Sequence, residues 1–515
     1  MLCKGGPVVR LCFLSVAAVH CSLQFSPMRY LTLIVVTCLT VTTYAQKKIT
    51  KSITDFITER EIDSHIRFLA ADEMRGRATG SPELDIAANY IMTQFMAAGV
   101  KPAVGNSYFQ PVSLRRQSPP STVEFELSVK GTAGKFTGIV LEGPSIALAK
   151  PVVFAGYGTT RELDKLNVKG KIVVCLFGTE GSSGLGEGLF TLAPLKRRSI
   201  AERGGVALVE IMPSQGVPWA GLQNRFAGKR IVLEQEEEIP HLLMQNLETE
   251  PVQMLQQTSE GSGTLTIARE VPAVLSGRNV VGVIPGADPV LRNEYIAVTA
   301  HYDHVGVDKH AGQDSIFNGA RDNAIGTTVL IETAKYFAQN PVKRSILLIA
   351  LTAEEEGLLG SRWYAEHPVI PLKQTVFDLN CDGAGYNDKT IATVIDFNRT
   401  TADVLLRKAC DLAGLELKGD PAPEQGLFDR SDNANFARKG VPSVNMSPGV
   451  KAFDQDLMKF YHQPADEVET LDMTYLAKFY RAMLFSVQAL ADTETAPAWK
   501  SGDKYEAAGK ALYAK

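Results

Sequence analysis

Three apolar runs constrain this chain more than anything in its composition. EYIAVTA (294–300), SILLIALT (345–352) and TVFDLNCD (375–382) each read as a strand, and SILLIALT has the near-continuous apolar character of a strand buried on both faces. The residues at the carboxyl end of each run are of another kind. The first leads into His301 and Asp303, the second into Glu354 and Glu355, and the third ends in Asp382. In open α/β sheets ligands bind outside the carboxyl ends of the strands. Three strands that deliver carboxylates and an imidazole to one such edge point to a cation site. Taken alone, the three glutamates of LTAEEEGLLGSRW (351–363) would read as a solvated loop entering a helix, because acidic side chains favour a helix N-terminus. Their neighbours overturn that reading.

The rest of the chain falls into segments around these strands. Residues 58–112 are helical in pattern, with DIAANYIMTQFMAAGV closing on Gly99 as a helix stop. From 118 to 272 the pattern shifts to short β-rich runs separated by glycines, such as STVEFELSV, PVVFAGYG and GKIVVCLFG, which predicts a separate β-rich unit. Beyond 277, apolar strands alternate with amphipathic helices, which predicts an α/β fold with a mostly parallel central sheet flanked by helices. The expected segments are thus 46–117 and 273–492 for the main domain, 118–272 for the insert, and 493–515 for a polar tail. At the front, MRYLTLIVVTCLTVTTYAQKK, opening at Met28, has the basic start, apolar run and small-residue end of a secretory leader cleaved after Ala45. The expectation is export to a periplasmic or extracellular space, with no stable membrane anchor, since the run falls short of the ~20 residues that span a bilayer.

Two further pieces complete the polar set. Asp322 precedes a helical stripe through Leu330, Ile331, Ala334 and Phe337, and His462 lies in FYHQPADEVETLD before the last clear helix. His301, Asp322, Glu355, Asp382 and His462 then make five oxygen and nitrogen ligands without a cysteine, which suits a pair of zinc ions and also admits manganese or cobalt. One carboxylate must bridge, since five side chains cannot otherwise give each of two cations three protein ligands.

In these motifs the chain resembles the exported di-zinc aminopeptidases, a family of zinc exopeptidases related to glutamate carboxypeptidase and, more distantly, to glutaminyl cyclases. The matching stretches are AHYDHVG, GARDNAIG, TAEEEGLLGS, LNCDGAG, SDNANFARKGVPSV and YHQPADE, in the family's order. Residues 118–272, through VVFAGYG, DKLNVKGKIVV and AERGGVALV, are similar to the protease-associated (PA) domain that many members carry as an insert. The resemblance implies that His301 and Asp382 hold one zinc, Glu355 and His462 the other, and that Asp322 bridges. It implies that Asp303 orients the His301 imidazole through its carboxylate, that Glu354 is the general base, and that Tyr461 aids the oxyanion. Glu356 falls at a variable position and reads as solvated. Arg321 stands where many relatives have an aspartate, which suggests a cation beside the site that shifts substrate preference. SDN (431–433) is given no catalytic part, and His304 and His310 read as surface or pocket-wall residues. His65, His241 and His367 carry no signal.

Function follows from this reading as an expectation: a secreted aminopeptidase that removes N-terminal residues from peptide substrates, with the inserted unit walling the cleft. The alternative within the class is a carboxypeptidase of the glutamate type. Outside it stands a receptor-like binding protein with a dead metal site, which the full set of ligands argues against. A net charge of −4 with no dense basic cluster gives no support for nucleic-acid binding. Four of the seven cysteines (Cys3, Cys12, Cys21, Cys38) lie in the leader region, and the remaining Cys175, Cys381 and Cys410 show no framework spacing.

Overall fold

The computed structural model describes residue 50 and residues 52–514, apart from 182–184, 186–187, 213–218, 235–238, 246–247, 311, 313, 384 and 396. The expected leader therefore lies outside the described residues. Residues 56–515 make one compact unit. Among the described residues no helix is long and apolar enough to cross a membrane.

The three apolar runs form adjacent strands. Tyr295–His301 sits in the middle, parallel to Ser345–Leu351 on one side and to Thr375–Asn380 on the other. Every residue of the two flanking strands is buried, which is why they read as apolar runs rather than alternating ones. Ser443–Pro448 extends the parallel set beyond Thr375–Asn380. Among the described residues the sheet has ten strands and is mixed, not mostly parallel. Ala273–Ile284, Phe109–Gln117 and Arg230–Leu233 add in succession on the Ser345–Leu351 side, each antiparallel to its neighbour. Ile391–Ile395 is antiparallel to Ser443–Pro448 on the other. The strand–helix alternation that signals parallel pairing begins only at residue 295. Strands outside that rhythm need no crossover helix and join antiparallel.

A second sheet, of eight strands among the described residues, is built between Thr122 and Ala268, running from Thr132–Phe136 at one edge to Ile139–Glu142 at the other. It has a core of its own, with Phe125, Leu127, Val174, Val209, Leu242 and Leu265 packed together. One strand from this stretch of sequence, Arg230–Leu233, leaves it and pairs with Phe109–Gln117 of the main sheet.

Helices cover the main sheet. Ser81 caps Pro82–Ala98 by accepting from the Leu84 amide, and the helix ends on Gly99 at φ 87°, a left-handed cap that glycine adopts without strain. Ile325–Phe337 is buried on nearly all sides. Its Gly326 lets the backbone approach the end of the Thr375–Asn380 strand, since a Cβ there would lie 2.3 Å from the Cys381 carbonyl. The segment after Asp492, expected as a polar tail, packs back instead. Trp499 is buried and donates to the Gly440 carbonyl, and Glu506–Tyr513 is a helix. Its charged residues hide this in sequence because a few scattered side chains, Trp499, Tyr505 and Leu512, carry the packing.

Candidate metal centre

His301 is the last residue of its strand and is 1% exposed. Its Nδ1 lies 3.1 Å from the backbone carbonyl of Asp303, to which it donates, leaving Nε2 as the atom that faces the site. The Asp303 carboxylate is 3.9 Å away, so the carbonyl and not the expected carboxylate orients the imidazole. The carboxylate has another task. It accepts from the amides of Glu354 and Glu355 at 3.1 and 3.2 Å and from the Thr79 hydroxyl at 3.2 Å. After Ser345–Leu351 the backbone turns left-handed at Ala353, φ 56°, and Asp303 pins the turn beyond it. Adjacent glutamates can then serve different ends, while Glu356 is exposed.

All five proposed ligands converge. His301 Nε2 is 3.2 Å from Asp322 Oδ1 and 3.1 Å from Asp382 Oδ1. On the other side His462 Nε2 is 3.2 Å from both Asp322 Oδ2 and Glu355 Oε2. Two groups of potential ligands result, His301–Asp322–Asp382 and His304–Asp322–Glu355–His462, and Asp322 belongs to both. Its two oxygens face opposite ways, as a bridging carboxylate must. Glu354 stands beside the first group, with Oε2 4.0 Å from His301 Nε2.

The charges in this space ask for cations. Although burial opposes it, hydrogen bonds from His301 and His462 hold the Asp322 carboxyl well below the usual range. Burial, reinforced by Asp382 and Glu355, pushes Glu354 well above it. Contacts with Asp322 and Glu355 outweigh burial at His462 and raise it to about 10. Asp322, Glu354, Glu355 and Asp382 crowd against three imidazoles, and the buried Nε2 of His304 has no hydrogen-bond partner. Imidazole and carboxylate donors so arranged fit two divalent cations of the zinc type.

The cleft above is lined by Asp322, Glu354, Glu355, Asp382 and His462 with Tyr461, and also by Ile395, Leu427, Arg430, Val450 and Phe453. The Tyr461 ring lies against His462 at 4.2 Å between centroids, and burial keeps its hydroxyl protonated.

Several residues matter here that the sequence reading set aside or missed. His304 is buried, and its Nδ1 donates to Glu355 Oε1 at 2.7 Å, orienting that carboxylate. Ser431, in the dismissed SDN, donates to Asp382 Oδ2 at 2.6 Å. Arg321 does not face the cleft. It is buried against Asp466 at 3.1 Å and lies over the Phe460 ring at 3.8 Å. Asp466 also accepts from the amides of Arg321 and Asp322, so it ties the loop bearing His462 to the segment bearing Asp322. Arg77 is fully enclosed and donates to the carbonyls of Leu69, Tyr302, Asn318 and Gly319. The only signal for any of these was adjacency to a motif. Cys381 is buried and small, and His310 is exposed.

A sequence profile described as Peptidase family M28 matches residues 279–487. Aminopeptidase YwaD of Bacillus subtilis (strain 168) is 28% identical over 199 residues, which is 38% of this chain and 40% of that protein. A probable zinc metalloprotease of Pyrenophora teres f. teres (strain 0-1) is 32% identical over 147 residues, 26% of this chain and 29% of that protein. The matched stretch thus spans less than half the length of either curated relative. Among solved structures, an aminopeptidase from Aneurinibacillus sp. strain AM-1 is similar in fold, with a TM-score of 0.50 at 22% identity over 87% of this chain and 97% of that one.

Proposed function

The chain belongs to peptidase family M28 through residues 279–487, and from that premise we propose that it is an exported aminopeptidase dependent on two zinc ions. The observation that carries this reading is Asp322, which presents one oxygen to His301 and the other to His462 between two sets of donors. His301 and Asp382 would hold one ion, Glu355 and His462 the other, and Asp322 both. When bound, such a pair supplies a Lewis acid that acidifies water and polarises a carbonyl.

The chain's own residues supply the rest. Glu354 faces the cleft, and burial beside Asp382 and Glu355 raises its affinity for a proton, which suits a general base. It would take a proton from the attacking water and deliver it to the departing amine. Tyr461, protonated at the cleft wall, would donate to the developing oxyanion. The carboxylate-rich floor suits the ammonium of a peptide N-terminus, and Ile395, Leu427, Val450 and Phe453 suit an apolar first side chain. The 118–272 stretch, as a PA-type domain, would border the cleft and bear on substrate range.

One observation favours a second reading. Arg430 lies exposed at the cleft wall, its guanidinium 3.4 Å from the Tyr461 hydroxyl, where it could pair with a substrate carboxylate in the manner of a glutamate carboxypeptidase. The two are separated by comparing peptides with free and acetylated N-termini. An aminopeptidase cleaves only the free ones. Preference for acetylated peptides ending in glutamate would transfer the assignment to the carboxypeptidase.

A further inference from the structure

On the side of the buried helix Ile325–Phe337 that faces Glu59–Leu69 lies a second cluster of ligand-type side chains, Glu61, His65 and Glu332. Glu332 is fully buried, and neither of its carboxylate oxygens receives a hydrogen bond. His65 is 4% exposed. The ammonium of Lys335 sits between them, bonded to Glu61 and 2.9 Å from His65 Nε2, but 3.8 Å from Glu332 Oε1.

These contacts settle the state of the imidazole. An ammonium only donates, so His65 Nε2 must accept and carries a lone pair. The proton is therefore on Nδ1, which donates to the Tyr90 hydroxyl at 2.7 Å. This is the tautomer of a metal-bound histidine, with the outer nitrogen held by a second residue and the inner lone pair aimed at the ion. It also explains why Glu332 Oε1, 3.5 Å from Nε2, receives nothing from it. Burial, followed by the charge of Lys335, pushes His65 down to about 4, so the neutral form persists at ordinary pH.

Charge does not close around the lysine. Once Glu332 ionises, two carboxylates face one ammonium, and the more deeply buried carboxylate is the one left without a hydrogen bond. A divalent ion supplies two charges and accepts a donor atom from each of Glu61, His65 and Glu332. Lys335 is 24% exposed along its side chain, so its head can move to water while its stem stays on the helix. We propose that Glu61, His65 and Glu332 form a third divalent-cation site, of the zinc or manganese class, with Lys335 as the resident competitor that the ion displaces. Bound there, the ion cross-links Glu59–Leu69 to Ile325–Phe337, about 10 Å along that helix from the end next to Asp322.

Metal counting tests this without reference to turnover. The full chain and its Glu332→Gln, His65→Gln and Lys335→Met variants are equilibrated in a series of zinc buffers, and bound zinc per chain is measured by plasma mass spectrometry. At saturation E332Q and H65Q should each hold one equivalent fewer than the unaltered chain. K335M should hold the same number but fill that equivalent at roughly tenfold lower free zinc, since a competing positive charge has gone. The readout is a difference between proteins, so it does not depend on how many ions the His301–His462 centre takes. Equal zinc content in all four proteins, with superimposable filling curves, overturns the proposal. Should E332Q and H65Q fail to fold, K335M decides alone, and an unshifted curve sinks the site.

Discussion

At the scale of single residues, the site's working groups separate by what each carboxylate touches. Glu355 is engaged from two sides, by His304 and by His462, whereas the Glu354 carboxylate comes no closer than 4.0 Å to His301 and faces the cleft. Glu354→Gln, which keeps the volume and removes the base, should therefore retain its zinc content and lose roughly a hundred- to ten-thousand-fold in kcat. Steady-state kinetics paired with metal analysis checks both halves, and undiminished turnover would remove Glu354 from the chemistry. The residues proposed as ligands and base stood out in sequence because each is a charged or imidazole residue placed where an apolar strand stops or ahead of a helix. Their supports did not. Three of the four carbonyls that Arg77 bonds lie more than 200 residues away, and Ser431 acts on Asp382 across 49, so little that is local distinguishes them from ordinary surface residues. The same holds for Asp303, whose position was legible but whose carboxylate serves the glutamate turn rather than the imidazole.

At the scale of elements, two couplings govern the site's surroundings. The first is the loop 460–470, which carries His462 at φ 51° and is held by Asp466 to the segment that carries Asp322. Asp466→Ala would strand the buried Arg321 guanidinium, a loss of about 3–5 kcal/mol for a broken buried pair. Denaturant unfolding should register it, and zinc affinity should fall in the same variant, because both the bridging and the outer ligand lose their anchor. The second coupling is between Glu59–Leu69 and Ile325–Phe337. Burial, with Glu61 adding to it, lifts Glu332 from near 4.5 to about 7. The native state then keeps a proton that the unfolded chain has released, so stability falls as pH rises from about 4.5 to about 7 and is level outside that window. Measured against Glu332→Gln in chelator, the full chain should lose up to about 3 kcal/mol across the window. His65 titrates in both proteins and drops out of the difference. Parallel curves for the two would show that Glu332 stays ionised. The mixed pairing of the main sheet belongs to this scale too. Periodicity picked out the three central strands and missed others such as Phe109–Gln117, whose first residues fell in the 58–112 stretch read as helical; partner direction depends on which strands meet, and that is a property of the assembled sheet.

For the molecule as a whole, the question is how separable the second sheet is from the catalytic one. Composition suggested a clean insert over 118–272, and among the described residues the core cluster of the second sheet draws on that stretch. Arg230–Leu233 breaks the separation. It forms the outer strand of the main sheet against Phe109–Gln117, and its Ile231 and Leu233 pack with Val112, Leu114, Leu359 and Ala353. Ala353 is the left-handed residue from which Glu354 and Glu355 depart. Excising 122–268 would thus uncover an apolar edge and loosen the floor beneath the base, so the loss should reach the chemistry and not substrate range alone. The expected result is a less soluble protein, with a lower melting temperature and reduced kcat even on a single-residue chromogenic amide. Leu233→Asp isolates the cause, because it leaves the second sheet in place and puts a charge into that packing, at a cost of several kcal/mol unless the strand detaches. If the strand supports the site, L233D should repeat the kcat defect while keeping its cleavage preferences among longer peptides. An excised protein that turns over the small amide as fast as the full chain would mean that the main sheet holds its glutamate turn without help, and that the strand serves only to tether the insert.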